Sequence, residues 1–369
     1  MAELVVPCLF GLEGPAADEL RRMGIENVRA ENGRVRFSGG PIDVARANLR
    51  LRTGERVLLL LGSFPAHTFD ELFEGVKALP LADHIPRDGQ FPVKGYCRDS
   101  ALHSVPDCQR IIKKASAAAL GRAYRTEWLP ETGAVYQMQF SVVRDRAEIF
   151  LDTTGTPLFK RGYRPGHVAA PLRETLAAAM VGFARYRGRD AFWDPFCGSG
   201  TLPIEAALIA RNRAPGLGRT FAAQRWPNVP AAVWREAADE ARAAEFAGEY
   251  RIFASDVDPR AVALSRENAR RAGVADDITF TVADACHTPP PAERGVIVCN
   301  PPYGERMLER GEARALYRAF GAAVPRSPEW KANILSSDVD FERFFGRRAD
   351  KKRKLYNGML QCNLFMYFR

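Results

Sequence analysis

From Pro171 onward the chain alternates short apolar runs with helical stretches, and no other feature limits its fold as much. RETLAAAMVGFARY (173–186) leads into AFWDPF, PIEAALIARN follows, and RIFASD, AVALSRENARRAG, TFTVAD and GVIVCN continue the rhythm. A strand covered on both faces by crossover helices must be apolar along its length, so this pattern predicts a doubly wound, mostly parallel α/β sheet. KLYNGMLQCNLFMYF (354–368) adds a turn at Asn357-Gly358 and a late alternating run, so the chain is expected to end inside that sheet.

The first half obeys a different pattern. Residues 1–62 read β-α-β-β-α-β, the order of a ferredoxin-like α+β unit, and residues 63–155 form a second mixed unit around the helix PDCQRIIKKASAAALGRAY. The Gly-, Pro- and Thr-rich segment LDTTGTPLFKRGYRPGHVAAP (151–171) carries little periodicity, so a connector is placed at 156–170 and the sheet domain at 171–369. A chain of 369 residues is expected to hold two or three domains.

A formal charge of +9 points toward polyanions, nucleic acid before membrane surfaces. No apolar run has the length of about 18 residues that a membrane-spanning helix needs. The start MAELVVPCLFGLE lacks a basic leader region and contains Glu3 and Glu13, so it does not read as a signal peptide. Seven scattered cysteines without a CxxC pair, and five histidines without ligand spacing, argue against zinc, other metals and a disulfide framework. The expectation is a reduced, cytosolic (cytoplasmic) protein.

Chemistry gathers at the carboxyl ends of the predicted strands, where open α/β sheets hold their ligands. In WDPFCGSGTLPIEAA (193–207) a strand ends at Asp194, a turn with Gly198 and Gly200 follows, and a helix begins. The third glycine of a dinucleotide fingerprint is missing, and no GK[ST] follows as in a P-loop. The next strand ends at Asp256, suited to ribose hydroxyls, with Asp258 expected to cap the following helix. Asp284 ends the third strand at the same level, and could receive an amino group such as an adenine N6. The fourth strand delivers VCNPPYGER (298–306), whose Pro301 and Pro302 fix the backbone and hold Asn300 and Tyr303 in set directions. Cys197 and Cys299 adjoin this edge but lack a nearby histidine, so a nucleophile role is not expected.

Together these residues resemble the class I S-adenosylmethionine-dependent methyltransferases, whose [DNS]-P-P-[YFW] turn marks enzymes that methylate planar nitrogens. DPFCGSGTLPIEAA, the insertion with APGLGR (214–219), NPPYGERM and LYNG resemble the bacterial RNA guanine-N2 methyltransferases. ALHSVPDCQRIIKKA and LDTTGTPLFKRGYR resemble the RNA-binding THUMP region of the same enzymes. The resemblance implies a Rossmann-like domain with a mostly parallel seven-stranded sheet, preceded by a ferredoxin-like/THUMP α+β region. It implies S-adenosyl-L-methionine as cofactor, held by Asp194, Phe196, Cys197, Gly198, Gly200, Thr201, Asp256, Val257, Asp284, Ala285 and Asn300. Thr175 or Glu174 would close the pocket from APLRET (170–175), although these residues also read as an ordinary helix start. Asn300, Pro301, Pro302 and Tyr303 would be the catalytic turn.

The implied partner is structured RNA, 23S ribosomal RNA by the closest motif string, with the tRNA acceptor stem as the alternative. Arg110, Lys113, Lys114, Lys160, Arg161 and Arg164 are the expected phosphate contacts. No membrane or metal partner is expected, and a monomer is the default. A DNA adenine-N6 methylase shares the NPPY turn but leaves the first half unexplained. A non-catalytic RNA-binding assembly factor would have no need for four intact motifs, and a nicotinamide dehydrogenase fits least.

Overall fold

The computed structural model describes residues 1–164, 172–302 and 310–368, the side chain of Arg310 excepted. In the first half, β1 (Ala2–Pro7), α1 (Glu13–Arg22), β2 (Arg29–Glu31), β3 (Arg34–Gly39), α2 (Pro41–Arg50) and β4 (Leu58–Pro65) appear in the expected order. They are followed by α3 (Phe69–Lys77), β5 (Val93–Arg98), α4 (Val105–Tyr124), β6 (Met138–Val143) and β7 (Arg146–Asp152). The two expected N-terminal units share a single seven-stranded sheet, ordered β2-β3-β1-β4-β7-β6-β5. The two units join through the antiparallel pairing of β4 with β7, running from Leu58↔Asp152 to Pro65↔Arg146. The boundary expected at residue 62 therefore falls inside β4. Strand pairing is a long-range choice, and the local pattern around residue 62 carries no mark of it.

The second half comprises α5 (Glu174–Phe183), β8 (Ala191–Asp194), α6 (Thr201–Ala210), α7 (Ala231–Ala243), β9 (Ile252–Asp256), α8 (Pro259–Ala272) and β10 (Ile278–Val282). Then come β11 (Gly295–Cys299), α9 (Arg310–Ala323), β12 (Trp330–Ser336), α10 (Phe341–Phe345), β13 (Lys351–Asn357) and β14 (Leu360–Tyr367). Its sheet has the order β10-β9-β8-β11-β12-β14-β13. Strands β8 to β12 pair in parallel. The terminal hairpin is antiparallel, and Gly358 turns it with φ +68°. Every residue of β8 and β11 is buried, which is why both read as unbroken apolar runs up to their ends. The order reverses between β8 and β11, so a crevice opens outside their carboxyl ends.

The halves interlock. Residues 214–243 belong by chain order to the second half, yet Phe221, Trp226, Trp234 and Ala237 are buried in the core of the first. Trp226 stacks on Tyr136 with centroids 4.8 Å apart, and its indole N–H donates to the Val135 carbonyl at 3.1 Å. Arg46 of α2 forks onto Glu240 of α7 at 2.7 and 2.6 Å. In return, Leu12 and Leu355 lie in one core of the second half.

At the seam Arg161, expected on the RNA surface, is buried with its side chain 2% exposed. Its guanidinium donates to Glu205 of α6 at 3.3 Å, to the Arg52 carbonyl at 2.6 Å and to the Leu158 carbonyl at 2.8 Å. Tyr163 donates its hydroxyl to the same carboxylate at 3.2 Å. Arg164 turns inward as well, 2.6 Å from Glu174 with its side chain 11% exposed. Both arginines sit where a carboxylate from the sheet domain is already buried, and the ion pair outcompetes solvent exposure. Breaking such a pair from one side leaves an uncompensated buried charge, which costs about 3–5 kcal/mol. Arg161→Met should therefore unfold at clearly lower denaturant, whereas Arg161→Met combined with Glu205→Leu should recover much of the loss. Chemical denaturation of the three chains measures this. An Arg161→Met protein as stable as the parent would remove the pair from the seam.

Candidate functional site

The crevice outside β8, β9 and β11 is built by three strand ends and one glycine loop. Asp194 closes β8 and is 1% exposed, and one carboxylate oxygen accepts the Phe196 amide at 3.1 Å. Among the described residues it forms no ion pair. Burial, with Asp256 nearby, pushes its carboxyl well above the usual carboxylate range. Asp256 closes β9, accepting the Gly198 amide at 3.0 Å and the Asp258 amide at 3.0 Å. The strand-end acid thereby fixes the loop of the neighbouring strand. Asp258 caps α8 by accepting the Arg260 amide at 2.9 Å, as its place before Pro259 implied.

The loop conformation demands glycine at two positions. Gly198 has φ +51° and open space where a side chain would begin. Gly200 has φ +85°, and a Cβ there would stand 2.3 Å from the Ser265 Oγ. Asn268 on the same helix donates to the Ser199 carbonyl at 2.8 Å. Helix α8 thus clamps the loop from behind, a support that the sequence signalled only as polar residues on an otherwise amphipathic helix.

Asn300 follows the fully buried Cys299 at the end of β11. Its side-chain oxygen is buried and has no hydrogen-bond partner among the described residues. Leaving a buried acceptor unmade costs about 1–3 kcal/mol, so the turn holds it ready for a donor from outside. Pro301 is buried. The Pro302 carbonyl accepts the Tyr317 hydroxyl of α9 at 3.2 Å. Tyr317 is itself fully buried, and its hydroxyl lies 3.4 Å from the Ser336 hydroxyl at the end of β12. This brace went unread in the sequence, where Tyr317 is simply one aromatic on a helix face. Tyr303 lies outside the described residues.

The remaining expected residues divide. Val257 is 71% exposed beside Asp256 at the crevice rim. Asp284 is exposed, accepting the Cys286 amide at 2.8 Å and lying 2.8 Å from His287 Nδ1. Those two contacts, the amide foremost, lower its carboxyl. Cys197 and Ala285 are buried. Phe196 packs its ring edge-on against Phe320 at 4.9 Å. Thr201 is buried at the start of α6. Thr175 departs from expectation: it is fully buried and donates to Glu55 of the first half at 2.7 Å, so its hydroxyl serves the seam. Burial raises the carboxyl of Glu174 despite Arg164 beside it.

Of the expected phosphate contacts outside the seam, Arg110 is 78% exposed beside Asp107. Lys113 lies 2.6 Å from Glu131 and 3.4 Å over the Phe91 ring, which draws it back from a free phosphate. Lys114 and Lys160 are exposed. No group of three or more His, Cys, Asp or Glu that could hold a metal is found among the described residues. No described helix is long and apolar enough to cross a membrane.

Comparison with known proteins places these features. Residues 161–365 match the model of the RMKL-like methyltransferase domain, residues 3–58 the RlmL ferredoxin-like domain, and residues 66–152 the THUMP domain. The chain is 43% identical to the protein named "Putative RNA methyltransferase YpsC" of Bacillus subtilis, over 99% of this chain and 95% of that one. It is 33% identical to the ribosomal RNA large subunit methyltransferase K/L of Psychromonas ingrahamii, over 100% of this chain, but it spans only 50% of that longer protein. Among solved structures, one from Listeria monocytogenes described as a predicted N6-adenine-specific DNA methylase is 42% identical with a TM-score of 0.94, covering 99% of this chain and 96% of that one. Another, SMU.472 complexed with SAH, is 39% identical with a TM-score of 0.95, covering 100% and 98%.

The crevice suits the cofactor that this fold uses, S-adenosylmethionine. A buried carboxylate without a counter-ion welcomes the sulfonium and ammonium charges of that molecule, and the glycine loop leaves room for it. A carboxyl raised by burial stabilises the fold below the unfolded-state value and loses that contribution as pH rises through the folded one. In the ligand-free protein Asp194→Asn should therefore melt no lower than the parent near neutral pH, while cofactor affinity falls about tenfold or more, an interaction of about 1.4 kcal/mol or more. Because burial raises the Asp194 carboxyl well above the usual carboxylate range, parent affinity should rise with pH as that carboxyl ionises, and the variant should lack this rise. Melting curves and calorimetry with S-adenosylhomocysteine read both, and a flat parent profile would count against the assignment.

Proposed function

Because the chain belongs to the RMKL-like methyltransferase family, we propose that it transfers the methyl group of S-adenosylmethionine to the exocyclic N2 of a guanine in structured RNA, most closely 23S ribosomal RNA. The observation that supports this best is the buried, unpartnered side-chain oxygen of Asn300 on the double-proline turn. An aromatic amine is a poor nucleophile because its lone pair is delocalised into the ring. Acceptors that hold its two hydrogens orient it and help the nitrogen pyramidalise as attack proceeds. The Asn300 oxygen and the Pro301 carbonyl are such acceptors, and Tyr317 holds the turn through the next carbonyl. Asp194 and the Gly198–Gly200 loop receive the methionine part, Asp256 the ribose, and Asp284 the adenine. The bound cofactor supplies an already activated methyl sulfonium, so the chain's task is alignment and exclusion of water.

A base paired inside a helix cannot reach this turn, so the target is extruded or unpaired, and Tyr303 offers a ring for it to stack on, worth about 1–3 kcal/mol. The first half, with its THUMP match, grips RNA by shape and phosphate. Arg110, Lys114 and Lys160 are the contacts proposed there, and Lys113 contributes after release from Glu131. The same turn would serve an adenine amine, the substrate group predicted for the Listeria protein. The THUMP-matching region favours RNA, and a tRNA guanine remains the neighbouring alternative.

Asn300→Ala should lower turnover about 10²-fold or more while cofactor affinity stays within a few-fold. Tyr303→Phe should retain activity that Tyr303→Ala loses. The deciding assay offers radiolabelled cofactor with protein-free large-subunit rRNA, unmodified tRNA and duplex DNA, then identifies the methylated nucleoside after digestion. N2-methylguanosine in rRNA is expected, and N6-methyladenine in DNA would overturn the proposal.

A further inference from the structure

A large cleft lies away from the crevice. It encloses about 1420 Å³ at the opposite, amino-terminal ends of the parallel strands, where Asp190 precedes β8 and Gly295 opens β11. Nine basic side chains line it against four acidic ones. Arg22 and Arg50 reach it from the last turns of α1 and α2, while Arg187, Arg189, Lys331 and Arg353 come from the sheet domain. None of these six has an ion-pair partner among the described residues.

The acids are already engaged. Asp190 pairs with Arg294 at 3.2 Å and Asp18 with Arg21 at 2.9 Å. Glu19 accepts the Arg52 and Thr53 amides at 2.7 and 3.2 Å. Only Glu329 is left to offset the arginines, so the cleft keeps a strong positive excess. Two atoms at its wall wait for an acceptor: Arg52 Nη1 and Arg353 Nε are buried without a hydrogen-bond partner. The Arg353 guanidinium lies over the Phe183 ring, its Cζ 4.3 Å from the centroid, which holds it in place. Arg187 is held by its own chain, donating to the Tyr186 carbonyl at 3.0 Å. Partial desolvation by its surroundings and the proximity of Arg22 both disfavour its charge. Like charges held together without counter-ions are a standing cost that an anion removes.

We propose that this cleft is a second RNA-binding surface, taking the phosphodiester backbone of the folded RNA whose target base enters the crevice at the other end of the sheet. The inference rests on the RNA reading above. A polymer fits better than a small anion, because the cleft is wide and polar whereas small-molecule pockets are mostly apolar and about 300–1,000 Å³. The five residues of β11 separate the two sites by roughly 16 Å of strand. An RNA touching both must wrap an edge of the protein, which a folded domain with several helices can do. Because both halves contribute arginines, such an RNA would also span the seam between them.

The test is a triple charge reversal, Arg187→Glu, Arg189→Glu and Lys331→Glu, at exposed positions outside the catalytic crevice. Binding of a protein-free large-subunit rRNA domain is measured against salt concentration, with S-adenosylhomocysteine affinity and melting temperature as controls. The variant should bind RNA about tenfold or more weakly, with a log-affinity against log-salt slope shallower by about 2–3 units, as expected for three lost phosphate contacts. Both controls should be unchanged. A parent that binds and methylates RNA while the variant matches its affinity and slope overturns the cleft alone. Inorganic phosphate or ATP that binds the parent tightly, is lost in the variant and leaves RNA affinity untouched would make this a small-anion site and overturn the proposal. A parent that binds no RNA at any salt, yet methylates another substrate, overturns the RNA reading and this inference with it.

Discussion

The contact between Arg161 and Glu205 is the hinge on which the architecture turns. A guanidinium and a carboxylate, 2% and 0% exposed, meet where the connector, the end of α2 and the start of α6 converge. Desolvating two charges is expensive, and the expense is tolerable because each guanidinium nitrogen has an acceptor: Glu205, Leu158 and Arg52 all accept from Arg161. Replacement of the whole pair by apolar groups could be neutral, so its service is better understood as register. In the observed placement of the two halves Arg161 reaches acceptors on both, Arg52 on one side and Glu205 on the other. Helix α6 begins at the glycine loop, so the same contact ties the first half to the floor of the crevice.

That rigidity organises charge along the sheet. At the carboxyl ends, Asp194 and Asp256 stand close with no counter-ion among the described residues, and Asp194 is raised by its burial. At the amino ends, arginines crowd a wide cleft with little acid to offset them. Each end is destabilised alone and relieved by a ligand of opposite charge, a cationic cofactor at one and a polyanion at the other. This is the familiar conflict between a binding site and a well-satisfied fold. The orphaned Asn300 oxygen belongs to the same class of stored cost.

The insertion between α6 and β9 shows how little chain order says about packing. Its aromatics fill the core beneath the first sheet, Trp226 against Tyr136, while APGLGR crosses the seam and Gly216 lies against Leu49. A Cβ at Gly216 would stand 2.7 Å from the Leu49 Cα, so the close approach of the two halves is written there in a missing side chain.

What the sequence determined by itself is local in origin. The order of strands and helices, the Gly198–Gly200 turn, Asp258 as a cap and the stiffness of Asn300-Pro301-Pro302 all follow from periodicity and backbone chemistry within a few residues. So did the gathering of Asp194, Asp256, Asp284 and Asn300 on one edge, because the strands of one parallel sheet end together; their expected common level is corrected by the register, which sets Asp194 opposite Ala254 and Asp256 opposite Val282. The tertiary structure decided the rest. It joined β4 to β7, drew Arg161 and Arg164 inward, gave Thr175 to Glu55, braced Pro302 with Tyr317 and gathered the arginines of the distal cleft. Each of these depends on which distant residue packs alongside. An arginine looks the same in sequence whether it meets solvent or a buried carboxylate, and only the folded chain brings the carboxylate to it.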